Sequence, residues 1–293
     1  MIPLATLNTL APADFAQRLA NIYEHAPWVA ENAATARPFA TIAALFEGLQ
    51  AAMHQASPAE RIALIRGHPD LAGKAARAGA LTAESCGEQA SAGLDRLGDH
   101  EFAAFHRLND AYRAKFGFPF IICVRRHTKG SILASFAKRL AQMPEAERET
   151  ALVEIDRIAA LRLDALVSGE GRLQLAGRLS THVLDTDAGI PAAGVAVALH
   201  ELAANGPSRL VVSAVTNADG RTEAPLIADR PVPIGRYELV FAVGDYFAHR
   251  GLALADPPFL DSVPIRFAVA EAEGHYHVPL LVTPWSYATY RGS

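Results

Sequence analysis

"VSGEGRLQLAGRL", residues 167–179, is the stretch on which the fold of this chain turns. Gly169 and Gly171 with their polar neighbours mark a short linker over residues 168–173. Before it, apolar residues recur at steps of three and four, and after it they alternate. Phe39, Ile42, Ala43, Phe46, Leu49 and Met53 fall on one helical face. The spacing returns at Phe102, Phe105, Leu108 and Tyr112, at Ile132, Phe136 and Leu140, and at Leu152, Ile155, Ile158 and Leu166. "SPAERIALI" carries a full helix start: Ser57 caps, Pro58 suits the first position, Glu60 completes a capping box, and Gly67 stops the helix before His68-Pro69. Beyond the linker Val195, Val197 and Leu199 alternate, "SRLVVSAVT" is β-branched, and "NADGR" is a hairpin-type turn. "GRYELVFAV", "PIRFAVAEA" and "HYHVPLLV" add strands. The chain therefore reads as multidomain, an all-α domain over residues 1–167 followed by an all-β sandwich over residues 174–293.

Composition narrows the function classes. A chain of 293 residues suits two domains, and 51% hydrophobic with 20% charged residues suits soluble globular protein. A net charge of -4 argues against nucleic acid as a partner. No apolar run approaches the roughly 20 residues that span a bilayer, so no membrane partner is expected. The start, "MIPLATLNTLAPADF", lacks the features of a signal peptide. Cys86 and Cys123 supply neither a disulfide framework nor a multi-cysteine zinc site, and a reducing cytoplasm is the expected location.

Three segments of the helical half suit neither helix core nor solvated loop. In "GHPDLAGKAA", His68 occupies a rigid, partly exposed corner where an imidazole can exchange a proton near neutrality, although a plain loop histidine has the same spacing. In "LTAESCGEQASAGLD", a helix capped by Thr82 projects Ser85, Glu88 and Gln89, which suit a polar ligand or simply the polarity of a helix start. "FGFPFIICVRR" is a buried run whose backbone can present amides, or plain core.

Together the His-Pro-x-Leu corner, the Ser-x-x-Glu-Gln helix and the Gly-Phe-Pro-Phe segment, in this order, resemble the 2-oxo-4-hydroxy-4-carboxy-5-ureidoimidazoline (OHCU) decarboxylases of urate breakdown. The resemblance implies that His68 donates the proton, with Glu88 beside it. It also implies that Pro69, the turn Ser85, Cys86, Gly87, Gln89 and the backbone of Phe120, Ile121, Ile122, Cys123 and Val124 hold the substrate. No metal, pyridoxal or thiamine cofactor is implied. Loss of CO2 leaves a carbanion that the substrate's own ring delocalises, so orientation and one proton suffice.

In the β half, His275 and His277 share a strand face, and His182 is the obvious third imidazole for a zinc site on an antiparallel sheet. Surface or cross-strand histidines are the bland alternative. "LSTHVLDTDAGIPAAGV", "TNADGR" and "YHVPLLVTPWSYATYRGS" resemble the transthyretin-like 5-hydroxyisourate hydrolases from about Leu175 to Ser293. The resemblance implies a metal-free catalytic group of His182, Arg221 and His277, with Tyr290 and Ser293 closing the pocket and His275 close by. It also implies a packed tail at a subunit interface and a homotetramer assembled through the β domain, with pairing of the α domain. The substrates expected are the small molecules 5-hydroxyisourate and OHCU, so the fusion reads as a bifunctional enzyme leading to (S)-allantoin. The competing readings are a zinc-dependent cyclic amidohydrolase and a transthyretin-type carrier with a helical oligomerisation domain.

Overall fold

The structure, a computed structural model, describes residues 1–72, 82–203 and 208–292. It divides into two compact units, Met1–Arg125 with Ile132–Gln174, and Arg126–Ser131 with Leu175–Ser293.

The first unit is helical. The helix Ile42–Gln55 buries Ile42, Leu45, Leu49 and Met53, a stripe at steps of three and four. Phe39 is buried but precedes the helix, because Thr41 takes the N-cap and its side chain accepts from the Ala44 N–H. Ala43 and Phe46 are half-buried, so the true stripe lies slightly round from the expected one. The helix Pro58–Gly67 has the expected capping box: Ser57 Oγ accepts from the Glu60 N–H, and Glu60 accepts from the Ser57 N–H at 2.9 Å. Asp99–Phe116 buries Phe105, Asn109, Tyr112 and Phe116, with Phe102 and Leu108 only half-buried. The 23-residue helix Pro144–Leu166 buries charged residues beside its apolar ones, among them Glu147, Glu154, Asp156 and Arg162.

The expected linker begins as part of this unit. Val167–Ser168 (β2) pairs in parallel with Ile2–Pro3 (β1). The Glu170 and Gly171 carbonyls accept from the Ile42 and Ala43 N–H groups at 2.9 and 3.0 Å, satisfying donors that a helix start leaves free.

The second unit is a two-sheet sandwich. One sheet has the order β11-β10-β3-β4, with β7 (Ile227–Arg230) pairing β3. Here β3 is Gly177–Asp185, β4 Ile190–Pro191, β10 His275–Val282 and β11 Tyr287–Ala288. The other runs β6-β5-β8-β9, from Arg209–Val215, Ala196–Glu201, Gly235–Ala242 and Ser262–Val269 respectively. Alternate residues such as Leu179, Val183, Val197, Leu199, Leu239 and Phe241 fill the space between the sheets. The unit is not purely β. Val243–His249 is a helix that buries Val243, Tyr246 and Phe247, a helical step inside what reads as the end of a strand.

Candidate active sites

The helical unit brings most of its candidate residues to one cavity. His68, Pro69, Ser85, Glu88, Gln89, Phe120, Ile121, Ile122 and Val124 all line it. The corner that carries His68 is pinned from three sides. Asn109 Nδ2 donates to the Leu71 carbonyl at 2.8 Å, Gln89 Oε1 accepts from the Ala72 N–H at 2.9 Å, and Asp70 pairs with Arg113 at 2.9 Å. The corner was expected to be partly exposed, but His68 is 7% exposed, because it stands in the cavity wall among Glu24, Ser85, Phe120 and Arg162. Its Nδ1 lies 3.0 Å from the Leu64 carbonyl. A carbonyl only accepts, so Nδ1 carries the hydrogen and Nε2 is left for the cavity. Burial holds this imidazole below its ordinary titration range, and the Leu64 carbonyl and Glu24 push the other way.

Thr82 caps the helix Ala83–Ser91 as expected, its side chain accepting from the Ser85 N–H. Ser85 and Gln89 are buried on the cavity side. Cys86 and Gly87 lie on the exposed side of the same turn and do not line the cavity, because residues one and two past Ser85 point round the helix away from it. Cys123 is buried and also absent from the lining; its N–H donates to Glu154 Oε2 at 2.8 Å. The neighbouring Ile121 carbonyl accepts from Arg139 Nη1 at 2.7 Å. Arg139 is held in turn by Glu147, which also accepts from Tyr112, so buried charge fixes the backbone that faces the cavity.

Two residues absent from the sequence reading complete this site. Arg162 donates to both Glu88 oxygens, at 2.7 Å from Nε and 2.8 Å from Nη2, and to Glu24 Oε2 at 3.1 Å. Glu88 therefore pairs with an arginine rather than with His68. Burial pushes the Glu24 carboxyl up, but hydrogen bonds from Thr82 and Ser85 and the Arg162 charge outweigh it and keep the group below the usual range, as an anion. Arg162 had one visible signal, a charge at the helical step from Ile155 and Ile158 on an apolar stripe. Nothing in the spacing around Glu24 marks it.

In the β unit, β10 runs parallel to β3, not antiparallel, with His277 opposite Ser180 and Pro279 opposite His182. The Asn217–Arg221 turn brings in the cation. Gly220 donates to the Asn217 carbonyl at 2.8 Å with φ +70, and Arg221 bridges His182 across the antiparallel pair. The Val183 N–H donates to the Gly220 carbonyl at 2.8 Å, locking the turn to β3. The resulting cleft, about 300 Å³, is lined by Arg178, Ser180, Arg221, Glu223, His275 and His277. The His182 ring stacks on His277 with centroids 6.2 Å apart and planes 25° from parallel. Ser180 Oγ lies 3.0 Å from His277 Nδ1. Burial first, then the Arg221 charge, holds both imidazoles below their ordinary range; His182, His275 and Arg178 add to the effect at His277.

Among the described residues no set of three or more His, Cys, Asp or Glu side chains is arranged to hold a metal ion. The tail pairs with β10. Its backbone is fixed, with the Gly292 N–H donating to the His277 carbonyl at 2.9 Å and Thr289 Oγ1 donating to Pro279 O at 2.8 Å. Its aromatic side chains are not packed: Tyr290 is 59% and Trp285 62% exposed, and Tyr290 does not line the cleft. Among the described residues none covers these rings, because the strand Tyr287–Ala288 is paired with β10 at the edge of its sheet. Ser293 lies outside the described residues.

Comparison with known proteins agrees with this division. Residues 8–164 match the sequence model of the family described as OHCU decarboxylase, and residues 179–292 that of the HIUase/Transthyretin family. A 5-hydroxyisourate hydrolase from Ralstonia nicotianae is 55% identical over 117 residues, 40% of this chain and 99% of its own. A 2-oxo-4-hydroxy-4-carboxy-5-ureidoimidazoline decarboxylase from Haloferax volcanii is 38% identical over 169 residues, 58% of this chain and 98% of its own. A crystal structure of (S)-allantoin synthase is similar over 100% of both chains, at 36% identity and a TM-score of 0.51. By these matches the chain belongs to the OHCU decarboxylase family through its helical unit and to the HIUase/transthyretin family through its β unit.

Proposed function

We propose that this chain converts 5-hydroxyisourate to (S)-allantoin in two steps, hydrolysis in the β unit and decarboxylation in the helical unit. The observation that carries the reading is that each unit, a member of a family named for one step, gathers its own cluster of imidazole and guanidinium groups around its own opening.

In the first step a neutral imidazole of the His182–His277 pair takes a proton from water as it attacks the cyclic amide carbonyl. Arg221 faces the charge that builds on the oxygen, and the ring C–N bond breaks as a proton reaches the leaving nitrogen. Arg178, Arg221, His275 and His277 make the cleft polar and basic, which suits a dioxo ring better than an apolar hormone. In the second step CO2 leaves and the electron pair stays in the substrate ring. His68 in its imidazolium form gives the Nε2 proton to that carbon and is left neutral, because its Nδ1–H is committed to the Leu64 carbonyl. Glu88, fixed by Arg162, is the anion that receives a ureido N–H. Pro69, Ser85, Gln89 and the 120–124 backbone shape the rest.

No resident cofactor enters either step. The same reading has the chain acting in the cytoplasm as a homotetramer, with Tyr290 and the other exposed tail aromatics covered by a second copy at the hydrolase cleft.

Circular dichroism during 5-hydroxyisourate turnover separates the steps. The His277→Ala variant is expected to lose ring opening by ~10²–10⁴-fold. The His68→Ala variant is expected to open the ring at the normal rate yet form optically active allantoin no faster than the uncatalysed reaction. A His68→Ala variant with unaltered allantoin formation would refute the helical half of the assignment.

A further inference from the structure

Glu24 belongs to none of the sequence motifs, yet it stands where the charges of the helical cavity meet. It is buried, and both oxygens are engaged. Oε1 accepts from Thr82 Oγ1 at 2.7 Å; Oε2 accepts from Ser85 Oγ at 2.8 Å and from Arg162 Nη2 at 3.1 Å. Thr82 is the N-cap of the helix Ala83–Ser91 and Ser85 lies in its first turn. One carboxylate thus joins the start of that helix to the long helix carrying Arg162.

The charges in this cluster are unequal. Arg162 faces two carboxylates, Glu88 and Glu24, which leaves one negative charge in excess beside His68. The groups acting on the His68 imidazolium are burial, Arg162 and His25, which disfavour it, and the Leu64 carbonyl and Glu24, which favour it. Glu88 lines the same cavity, but its two oxygens are matched by Arg162. Glu24, in the same cavity wall as His68, favours the imidazolium.

We propose that Glu24 is the positioning residue of the helical site, holding Ser85 and Arg162 in place and supplying the negative charge that lets a buried His68 carry a proton to the reacting carbon. The proposal rests on the decarboxylase reading above. It gives the role of supporting carboxylate, which the sequence motif suggests for Glu88, to a residue outside that motif.

The test uses full-length Glu24→Gln and Glu24→Asp, with histidine labelled at carbon for NMR titration and His68→Ala to assign the His68 signal. Decarboxylation kcat and KM are measured against pH in parallel. In Glu24→Gln the His68 titration is expected to move to lower pH. At neutral pH kcat is expected to fall at least ~10-fold, a part of the ~10²–10⁴-fold that a general acid contributes. The deficit shrinks as pH falls, because acid restores the imidazolium. Glu24→Asp keeps the charge and is expected to keep the wild-type titration even where KM rises. Unchanged ring opening and far-UV helicity show that the variants fold. A His68 titration unmoved in Glu24→Gln with only KM raised, or one displaced in Glu24→Asp, would overturn the proposal. Should the wild-type chain decarboxylate nothing, the functional reading falls separately, while the NMR titration still decides whether Glu24 governs His68.

Discussion

An imidazole works as a base only while it is neutral, and Arg221 helps keep two of them so. His182 and His277 are held below the ordinary range by burial and then by this guanidinium. The neutral form exists above the pKa, so ring opening falls as pH drops through the folded-state value. Depressed values extend activity below the unperturbed histidine pKa of about 6.5. Arg221→Gln removes one of the depressing causes and a partner for the oxyanion. The acid limb of kcat/KM is expected to move to higher pH and the plateau to fall by about 10²–10³-fold. An acid limb that stays in place would show that burial alone sets these values. At this scale the sequence revealed histidines and an arginine in recognisable motifs, because their neighbours are also constrained. It did not reveal Glu24, whose partners Thr82, Ser85 and Arg162 are 58 to 138 residues away along the chain. It did not show that Cys86 and Gly87 face away from the cavity, because a motif names neighbours in the chain while a helix sends them to opposite sides.

Elements carry the site through their turns and starts. Gly220 has φ +70, and a Cβ there would run into the Val183 carbonyl oxygen and crowd Ala192 and Pro191. Gly220→Ala is expected to cost about 1–3 kcal/mol through backbone strain and to shift Arg221 off His182. Thermal melts and paired assays should show ring opening reduced more than decarboxylation; equal loss of both would count against the assignment of this turn to the hydrolase site. Ser57→Ala removes one half of a capping box on the helix that ends at His68. About 1 kcal/mol of stability should be lost while Arg221-dependent chemistry is untouched, as denaturant titration with both assays can show. The capping box, the hairpin-type turn and the long strands were legible because each is decided by a few adjacent residues. The helix Val243–His249 was not: four buried residues in seven positions fit a strand end as well as about two helical turns.

For the whole molecule, the residues lining each opening come from a single unit. One chain lacking the decarboxylase imidazole should therefore complement another lacking the hydrolase imidazole. Equimolar His68→Ala and His277→Ala proteins, purified apart and mixed, are expected to restore formation of optically active allantoin. A mixture as inactive as its components would mean that the two steps depend on one intact chain. The division into helical and β halves was plain from the change of period at residues 167–179. The exact join was not, because β2 and the carbonyls of Glu170 and Gly171 are used by the helical unit in pairings with Ile2, Pro3, Ile42 and Ala43 that only the folded chain brings close.

The backbone hydrogen bond from Gly292 to His277 has a consequence for observing the protein at work. Its amide hydrogen, like that of Val183 on Gly220, is shielded from solvent only while the tail or the turn lies against its strand. Deuterium uptake at these two amides therefore clocks how often the groups proposed for hydrolysis come apart in the resting protein. That gives a reading of active-site integrity without a drop of unstable substrate.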